Sequence, residues 1–188
     1  MDLMKRYFRN LHEYLDLVEV TDVFKNSVSL EYAKKGFLYR IRDLGGKLIF
    51  IGNGGSAAIA SHMALDWTKA GGIPSLAFND LVALTAFSND NGYENVFKNQ
   101  LYYHMAPSDY LIAISSSGES KNIINSVEYA RERNVYTVTF SGFSPLNTLR
   151  NKGHLNFYVP SHEYGFVELA HLTLLHALLD IHRGWNGK

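Results

Sequence analysis

Phe50-Ile51-Gly52-Asn53-Gly54-Gly55-Ser56-Ala57-Ala58 decides the fold, because an apolar run ends there in glycines and small helix-forming residues follow. The pattern predicts a strand, a tight loop and the start of a helix. Glycine lets the backbone approach an anion closely, and the first N–H groups of a helix have no partner within the helix. The stretch therefore predicts a phosphate-binding loop.

Three interpretations of this loop stay open on its own residues. The spacing Gly52-x-Gly54-x-x-Ala57 fits the fingerprint of dinucleotide-binding proteins. Asn53, Gly55 and Ser56 instead offer the hydrogen-bond donors of a phosphosugar site. A glycine-bearing turn between strand and helix that binds nothing is the third interpretation.

Composition narrows the class of protein. The chain has 188 residues, a formal net charge of zero and no cysteine. The length fits one domain, the charge gives no basic excess for direct binding of nucleic acid, and the missing cysteine excludes thiol catalysis and disulfides. Residues 1–20 mix charges with apolar residues, so we expect neither a signal peptide nor a membrane span and predict a cytoplasmic protein.

Alternating helix and strand patterns follow the N-terminal segment. Residues 1–44 predict two amphipathic helices broken near residues 20–22, whose wide aromatic stripe favours a subunit interface, with ordinary core packing as the alternative. The remaining residues, 45–188, predict an α/β core with five strands, at 47–51, 74–78, 109–114, 135–140 and 155–160. Helices are predicted at 57–69, 81–87, 96–104, 121–133 and 167–181, and a polar turn at 88–93. This alternation is typical of a parallel sheet with helices on both faces.

A second loop rich in donors follows the third predicted strand. Within it lie four serines, Ser115, Ser116, Ser117 and Ser120. Hydroxyls and free helix N–H groups suit a phosphate monoester, and both loops lie at the carboxyl ends of strands, where ligands bind in open parallel sheets. A dinucleotide enzyme has no need of a second phosphate loop, so the phosphosugar interpretation is favoured and no NAD is expected. Glu119 either points outward or contacts a substrate hydroxyl.

Two helices carry titratable residues with suggestive spacing. His62 and Asp66 are four residues apart on one helix face, as in a metal or acid/base pair, although an exposed ion pair would have the same spacing. Glu168, His171 and His176 lie in a strongly apolar helix, where polar groups are costly to bury unless paired. The other five histidines show no partner spacing and are predicted to lie at the surface: His12, His104, His154, His162 and His182.

The ordered motifs resemble the sugar-isomerase (SIS) domain of the phosphoheptose isomerase family from about residue 20 onward. They are Gly52-Asn53-Gly54-Gly55-Ser56-Ala57-Ala58 with His62, Leu84-Thr85-Ala86 leading to Asn89-Asp90-x-Gly92-Tyr93, Ile114-Ser115-Ser116-Ser117-Gly118-Glu119-Ser120-x-Asn122, and Glu168-x-x-His171-x-x-x-x-His176. The resemblance implies a single SIS domain over residues 1–188, a three-layer flavodoxin-like fold and a homotetramer with active sites between subunits. It also implies isomerisation of sedoheptulose 7-phosphate to a manno-heptose 7-phosphate through an enediol, for lipopolysaccharide or capsule heptose.

The resemblance also implies roles for particular residues. Asp66 and His176 become the catalytic pair, and a zinc ion is expected on His62, Asp66, Glu168 and His176. The implied substrate-binding residues are Asn53, Gly54, Gly55, Ser56, Asn89, Asp90, Ser115, Ser116, Ser117, Ser120 and Glu168.

Two of the implied zinc ligands depart from the family pattern. Asp66 stands where the family has Glu, and Glu168 stands where it has Gln. The first change shortens the presumed base by one C–C bond, ~1.5 Å; the second adds a negative charge. These changes keep a rival open, a non-catalytic SIS protein that binds a phosphosugar and a partner of the replication-initiator type.

Overall fold

The computed structural model describes residues 2–42 and 45–188, so Asp43 and Leu44 of the predicted helical hairpin lie outside the described residues. Seven α-helices are described: α1 Leu3–Asp16, α2 Leu30–Arg42, α3 Gly55–Lys69, α4 Leu81–Asn91, α5 Val96–His104, α6 Lys121–Glu132 and α7 Tyr164–His182. The seven strands are β1 Glu19–Asp22, β2 Ser27–Val28, β3 Leu48–Gly52, β4 Ser75–Ala77, β5 Tyr110–Ser115, β6 Tyr136–Ser141 and β7 Leu155–Tyr158. Short 3-10 helices cover Tyr93–Asn95 and Thr148–Asn151.

One sheet contains all seven strands, in the order β2-β1-β7-β6-β5-β3-β4. The five strands β3 to β7 are parallel, with Phe50 of β3 opposite Ile112 of β5. Their order corresponds to the 2-1-3-4-5 arrangement of flavodoxin-like folds, whose switch point lies between β3 and β5. Ligands bind at such a point, outside the carboxyl ends of the strands.

The sheet is covered on both faces, which makes a three-layer α/β fold. Leu48 and Phe50 of β3 point into a core shared with α2, α3 and α7, whereas Ile49 and Ile51 point into a second core with α5 and α6. All four side chains are fully buried. Successive side chains of a strand face opposite sides, so a strand covered on both faces becomes an uninterrupted apolar run.

The prediction of five strands was wrong, because the break between the first two helices is a β-hairpin. Strand β1 pairs antiparallel with β7 and with β2, so the sheet is mixed. Asp22 closes the turn: its Oδ1 accepts from the N–H groups of Phe24 and Asn26, both at 2.9 Å. Val20 is 1% exposed, so the hairpin adds its buried face to the core.

Helix α4 is longer than predicted. Asp80 caps its start by accepting from the N–H of Ala83 at 2.9 Å. The helix then continues through residues 88–91, which were predicted to be a turn, and ends at Gly92, whose φ is +80°. Polar residues remain helical here because they lie on an exposed surface.

Helix α7 is long and apolar enough, by length and composition alone, to cross a membrane. Leu175, Leu178 and Leu179 are buried in the core on one face of the sheet. The apolar character of α7 is therefore that of a core helix, and it brings Glu168 and His176 next to α3.

Candidate active site

A cavity of about 230 Å³ opens at the switch point between β3 and β5. The glycine loop after β3 and the serine loop after β5 form two of its walls, and α7 forms a third. It is lined by Asn53, Gly54, Gly55, Ser56, Ile114, Ser115, Ser116, Ser117, Ser120, Tyr164 and Glu168. The two loops that the sequence singled out therefore meet around one space, as predicted.

The glycine loop depends on two glycines. Gly54 has φ +53°, in the region that side chains rarely adopt. A Cβ on Gly55 would lie 2.3 Å from Oε2 of Glu168, so the bare backbone at the start of α3 admits that carboxylate. Glu168 therefore lies beside the N-terminus of α3, the position where an anion is favoured.

Asn53 is fixed by two neighbours that the sequence did not single out as site residues. Its Oδ1 accepts from the Tyr93 hydroxyl and from Nδ2 of Asn122, both at 2.9 Å, and its Nδ2 donates to Oδ1 of Asn122 at 2.9 Å. An amide oxygen accepts about two hydrogen bonds and an amide nitrogen donates two. The acceptor of Asn53 is therefore used, and one N–H remains for a ligand.

The serine loop is partly self-satisfied. The hydroxyls of Ser115 and Ser120 lie 3.2 Å apart, and Oγ of Ser117 accepts from the N–H of Glu119 at 3.2 Å. Ser116 differs: it is buried, and its Oγ has no hydrogen-bond partner within residues 2–42 and 45–188. A buried hydroxyl without a partner is costly, and a phosphate oxygen in the cavity would satisfy it.

Glu119 turns away from this space. Its carboxylate accepts from the N–H of Thr148 at 2.7 Å and from the Thr148 hydroxyl at 2.8 Å. It thereby caps the 3-10 helix Thr148–Asn151. The outward orientation, one of the two interpretations of the sequence, is what the structure shows.

A cluster of titratable groups lies farther along α3 and α7. Nε2 of His62 is 3.2 Å from Nε2 of His176 and 3.3 Å from Oδ2 of Asp66. Gly55 contacts Glu168 and His62 contacts His176, so the two helices run side by side in the same direction. The histidine of one helix and the histidine–aspartate pair of the other are thus brought together, an arrangement that the family resemblance implied.

The remaining predicted residues lie apart from this cluster. In the part of the chain that the structure describes, the ligand atoms that converge within 4.8 Å belong to His62, Asp66 and His176, and Glu168 is not among them. Asn89 and Asp90 lie exposed near the end of α4, bonded to each other at 2.9 Å. They do not line the cavity.

His171 lies between Glu168 and His176 in sequence but faces the core. It is fully buried, its Nε2 lies 3.1 Å from the carbonyl oxygen of Ser141, and its ring packs edge-on against Phe140. Burial lowers the pKa of His171 to about 4, although the bond to Ser141 opposes that change. The imidazole is therefore neutral and donates from Nε2 to hold α7 against β6.

Comparison with known proteins places the chain among sugar isomerases. Residues 6–142 match the SIS domain family. A phosphoheptose isomerase from Roseiflexus sp. is 40% identical over 143 residues, which cover 73% of this chain and 72% of the relative. One from Helicobacter pylori is 32% identical over 187 residues, 95% of this chain and 93% of the relative.

Solved structures agree with these relatives. A phosphoheptose isomerase from Neisseria gonorrhoeae superposes with a TM-score of 0.79 at 28% identity, over 98% of this chain and all of that one. One from Francisella tularensis has a TM-score of 0.82 at 24% identity over 98% of each chain, a likeness of fold.

Proposed function

Because the chain belongs to the phosphoheptose isomerase family of SIS-domain proteins, we propose that it converts sedoheptulose 7-phosphate to a manno-heptose 7-phosphate. The observation that carries this proposal is that one pair of helices, α3 and α7, holds both an anion cavity and a histidine–aspartate cluster. The cavity suits the phosphate of a sugar phosphate, and the cluster suits proton transfer at its other end. The non-catalytic alternative has no comparable support, since the relatives from Roseiflexus and Helicobacter pylori are phosphoheptose isomerases.

The phosphate is held by neutral donors. The described lining contains no lysine or arginine, so binding relies on the hydroxyls of Ser56, Ser115, Ser116, Ser117 and Ser120 and on backbone N–H groups of Gly54 and Gly55 at the start of α3. The free N–H of Asn53 adds a further donor. We propose that a phosphate oxygen accepts from the unpartnered Oγ of Ser116. We also propose that Asn89 and Asp90, which lie outside the lining of the cavity, contact the sugar.

The reaction moves one hydrogen from C1 to C2 and another from O1 to O2. In the proposed direction Asp66 removes a proton from C1 of the ketose and returns it to C2, while His176 moves the hydroxyl proton of O1 toward O2 through the enediol. The two groups are suited to this because both lie beside Nε2 of His62, at 3.3 Å and 3.2 Å, in one half-exposed cluster. Proton transfer by such positioned groups contributes typically ~10²–10⁴-fold.

A zinc ion fits the cluster. Two ligands at ~2.0–2.1 Å from zinc and at the tetrahedral angle are about 3.3 Å apart. The two His62 contacts, 3.2 Å and 3.3 Å, have that length, and the donor set of two imidazoles and a carboxylate is one that zinc accepts. We propose that His62, Asp66 and His176 hold it and that Glu168 joins them by rotating from Gly55; when bound, the ion would stabilise negative charge on the sugar oxygens.

The proposed oligomeric state, cellular location and biosynthetic role rest on the same family membership. We propose a cytoplasmic homotetramer with active sites between subunits, in which residues 1–44 contribute to the interfaces, and a role in supplying heptose for lipopolysaccharide or capsule. Exposed apolar side chains on α1, Leu3, Met4 and Phe8, support an interface there.

Incubation of the purified protein with sedoheptulose 7-phosphate, with and without added zinc, tests the proposal. We expect the aldose 7-phosphate to form, and we expect Asp66→Asn to abolish its formation while keeping bound phosphate. Zinc content measured on the wild type, His62→Ala and His176→Ala tests the metal site separately. Absence of turnover with several ketose phosphates in either condition would overturn the isomerase proposal.

A further inference from the structure

Tyr164 is the aromatic side chain in the described lining of the cavity between the glycine loop and the serine loop. It is the first residue of α7 and is 61% exposed. Its hydroxyl forms no hydrogen bond with another residue in the ranges 2–42 and 45–188. A phenol can donate one hydrogen bond, so this donor is available to a ligand in the cavity.

The place of Tyr164 along α7 puts it far from the histidine–aspartate cluster. It precedes Glu168, whose carboxylate lies against Gly55, by four residues, and residues with that spacing share a helix face. At ~1.5 Å per residue, Tyr164 lies about 6 Å before Glu168 along the axis and about 18 Å before His176. Because His176 meets His62 in the cluster, Tyr164 lies at the opposite end, where the phosphate is proposed to bind.

The ring of Tyr164 is supported from one side by Phe143, in the loop after β6. The two rings meet edge to face, with centroids 4.9 Å apart and planes at 77°. The other face of this support is His162, whose ring stacks on Phe143 with centroids 5.9 Å apart. Edge-to-face contact is a favoured arrangement of aromatic rings. A side chain held in this way loses less conformational freedom when a ligand binds.

The backbone of Phe143 is fixed in a conformation that bulky residues rarely adopt. Its φ is +58°. Its N–H donates to the carbonyl oxygen of Ser161 at 2.9 Å, and its carbonyl oxygen accepts from the Tyr158 hydroxyl at 2.8 Å. Such a conformation persists only where the surrounding structure imposes it, and it is frequent at ligand sites. These two hydrogen bonds therefore set the position of the ring that contacts Tyr164.

Gly142, the residue before Phe143, brings this loop against the serine loop. A Cβ on Gly142 would lie 3.1 Å from the carbonyl oxygen of Ser116 and 2.7 Å from Cγ1 of Val167 on α7. The loop after β6 therefore packs between the serine loop and α7. Ser116, whose buried Oγ has no partner in the described chain, and Tyr164 line the same cavity on either side of this contact.

A phenol suits the electrostatics of the cavity. Three helices, α3, α6 and α7, begin at or directly after lining residues, and a helix N-terminus carries partial positive charge. The described lining holds the carboxylate of Glu168 and no lysine or arginine. A cation at position 164 would pair with that carboxylate, whereas a neutral hydroxyl can donate to a phosphate oxygen, a bond strengthened by the charge of the phosphate.

We propose that Tyr164 is a substrate-binding residue, whose hydroxyl donates to a phosphate oxygen of the bound sugar phosphate, and that Phe143 is a positioning residue for its ring. The inference rests on the proposed function, because it assigns Tyr164 to the phosphate end of the same site. It also separates two roles along α7: Tyr164 contributes to affinity, and His176 contributes to proton transfer.

Calorimetric titration of the full chain with inorganic phosphate, followed by kinetics with sedoheptulose 7-phosphate, tests the proposal. Tyr164→Phe keeps the ring and loses the donor, so we expect phosphate affinity to fall about threefold to tenfold, and KM to rise to match with kcat unchanged. Tyr103→Phe is the matched control. Tyr103 is 68% exposed, lies outside the cavity lining and meets the Tyr102 ring edge to face at the same centroid distance, 4.9 Å. The control should bind phosphate like the wild type.

A second pair of variants tests the support from Phe143. Phe143→Leu removes the ring edge, so we expect weaker phosphate binding. If Phe143 acts through the hydroxyl of Tyr164, the double variant Phe143→Leu/Tyr164→Phe should bind phosphate about as well as Tyr164→Phe alone, because the two losses overlap. Fully additive losses would overturn the positioning role.

The two measurements distinguish this proposal from that of the reaction. Unchanged phosphate affinity in Tyr164→Phe, a fall in kcat alone, or failure of the wild type to bind phosphate would overturn the contact. Loss of affinity in a Tyr164→Leu variant but not in Tyr164→Phe would assign the effect to the ring and overturn the hydroxyl's role. Weakened phosphate binding in Tyr164→Phe, with a wild type that turns over no ketose phosphate, would support the contact and refute the isomerase proposal alone.

Discussion

The two ends of the parallel sheet present different kinds of polar group to a ligand. At the carboxyl ends, the cavity between the glycine loop and the serine loop, called the crevice below, presents serine hydroxyls and the N-terminus of α3. Its described lining has no lysine or arginine. At the amino ends, a cavity between α2 and the starts of β6 and β7 is lined by Asp22 and by Arg40, whose guanidinium lies over the ring of Tyr136. One end therefore presents dipoles to a ligand, and the other presents full charges of both signs.

The difference follows from what parallel strands provide. Helix N-termini and loop N–H groups gather at the carboxyl ends, so that edge binds anions with backbone groups that need no counter-charge. The opposite edge has helix C-termini, which carry partial negative charge, so an anion there requires side-chain cations. A phosphate site without charged side chains also leaves no lysine or arginine to form a salt bridge with the reacting end of a substrate.

The largest expected effect comes from removing the acid/base partner at the crevice. His176→Ala should lower kcat/KM for sedoheptulose 7-phosphate by ~10²–10⁴-fold, the usual contribution of a positioned proton-transfer group. Arg40→Gln, at the other end of the sheet, is the control and should retain full turnover. Equal losses in both variants would show that the two ends are not independent.

Stability should fall in acid because two histidines, His171 and His154, are held neutral in the folded chain. The pKa of His171 and of His154 is lowered to about 4 in the folded chain, so the unfolded chain binds more protons between about pH 6.5 and 4. The free energy of unfolding should therefore decrease as pH falls through that window, by at most ~1.4 kcal/mol per pH unit for each histidine.

Urea unfolding at several pH values checks this, and His171→Gln tests its origin. Because both imidazoles have a pKa of about 4 in the folded chain, His171→Gln and His154→Gln should each flatten the pH dependence by a similar amount. An unchanged slope in His171→Gln would contradict the assignment.

A smaller effect is expected from the hydroxyl that orients Asn53. Tyr93→Phe removes one hydrogen bond, of 2.9 Å, to Oδ1 and leaves the Asn122 pair intact. A neutral hydrogen bond contributes about 0.5–1.5 kcal/mol, so KM should rise roughly twofold to tenfold with kcat little changed. Tyr102→Phe, an exposed tyrosine on α5, is the matched control; a fall in kcat alone would argue against a role in phosphate positioning.

An effect of similar size is expected from the carboxylate of Glu168, which lines the cavity beside Gly55. Glu168→Gln removes a negative charge that lies at Gly55, so inorganic phosphate should bind metal-free protein about threefold to tenfold more tightly, since ~1.4 kcal/mol is tenfold. Glu163→Gln, at the N-cap of α7 and outside the cavity lining, should not change the affinity. Weaker phosphate binding in Glu168→Gln would mean that the carboxylate helps to hold the glycine loop in its binding conformation.

Much of the crevice was predictable because its signals are local. The glycine loop, the serine loop and the pair His62–Asp66 each lie within a few residues of sequence, and parallel-sheet rules bring the two loops together. The hairpin at Glu19–Asp22 was missed because its four residues resemble a helix break, and its strand character comes from pairing with β7.

Contacts between distant residues could not be predicted. Nothing in the sequence links His154 to Arg131, or Glu119 to Thr148, since each pair meets only after β6 and β7 are in place. The orientation of Glu168 toward Gly55 likewise depends on how closely α3 and α7 pack. Asn122 carried a weak signal, because it lies two residues after Ser120, but its partner is 69 positions away.

The parallel alignment of α3 and α7 has a consequence for the length of the substrate. From Gly55, which lines the phosphate cavity, to His62 in the histidine–aspartate cluster, α3 advances about 10.5 Å at ~1.5 Å per residue. Each further carbon lengthens an extended sugar chain by somewhat less than one C–C bond of ~1.5 Å. In the proposed reaction, α3 therefore sets the length of substrate that fits. A ketose phosphate two carbons shorter cannot bind its phosphate at the two loops and place C1 and C2 at His176 at the same time.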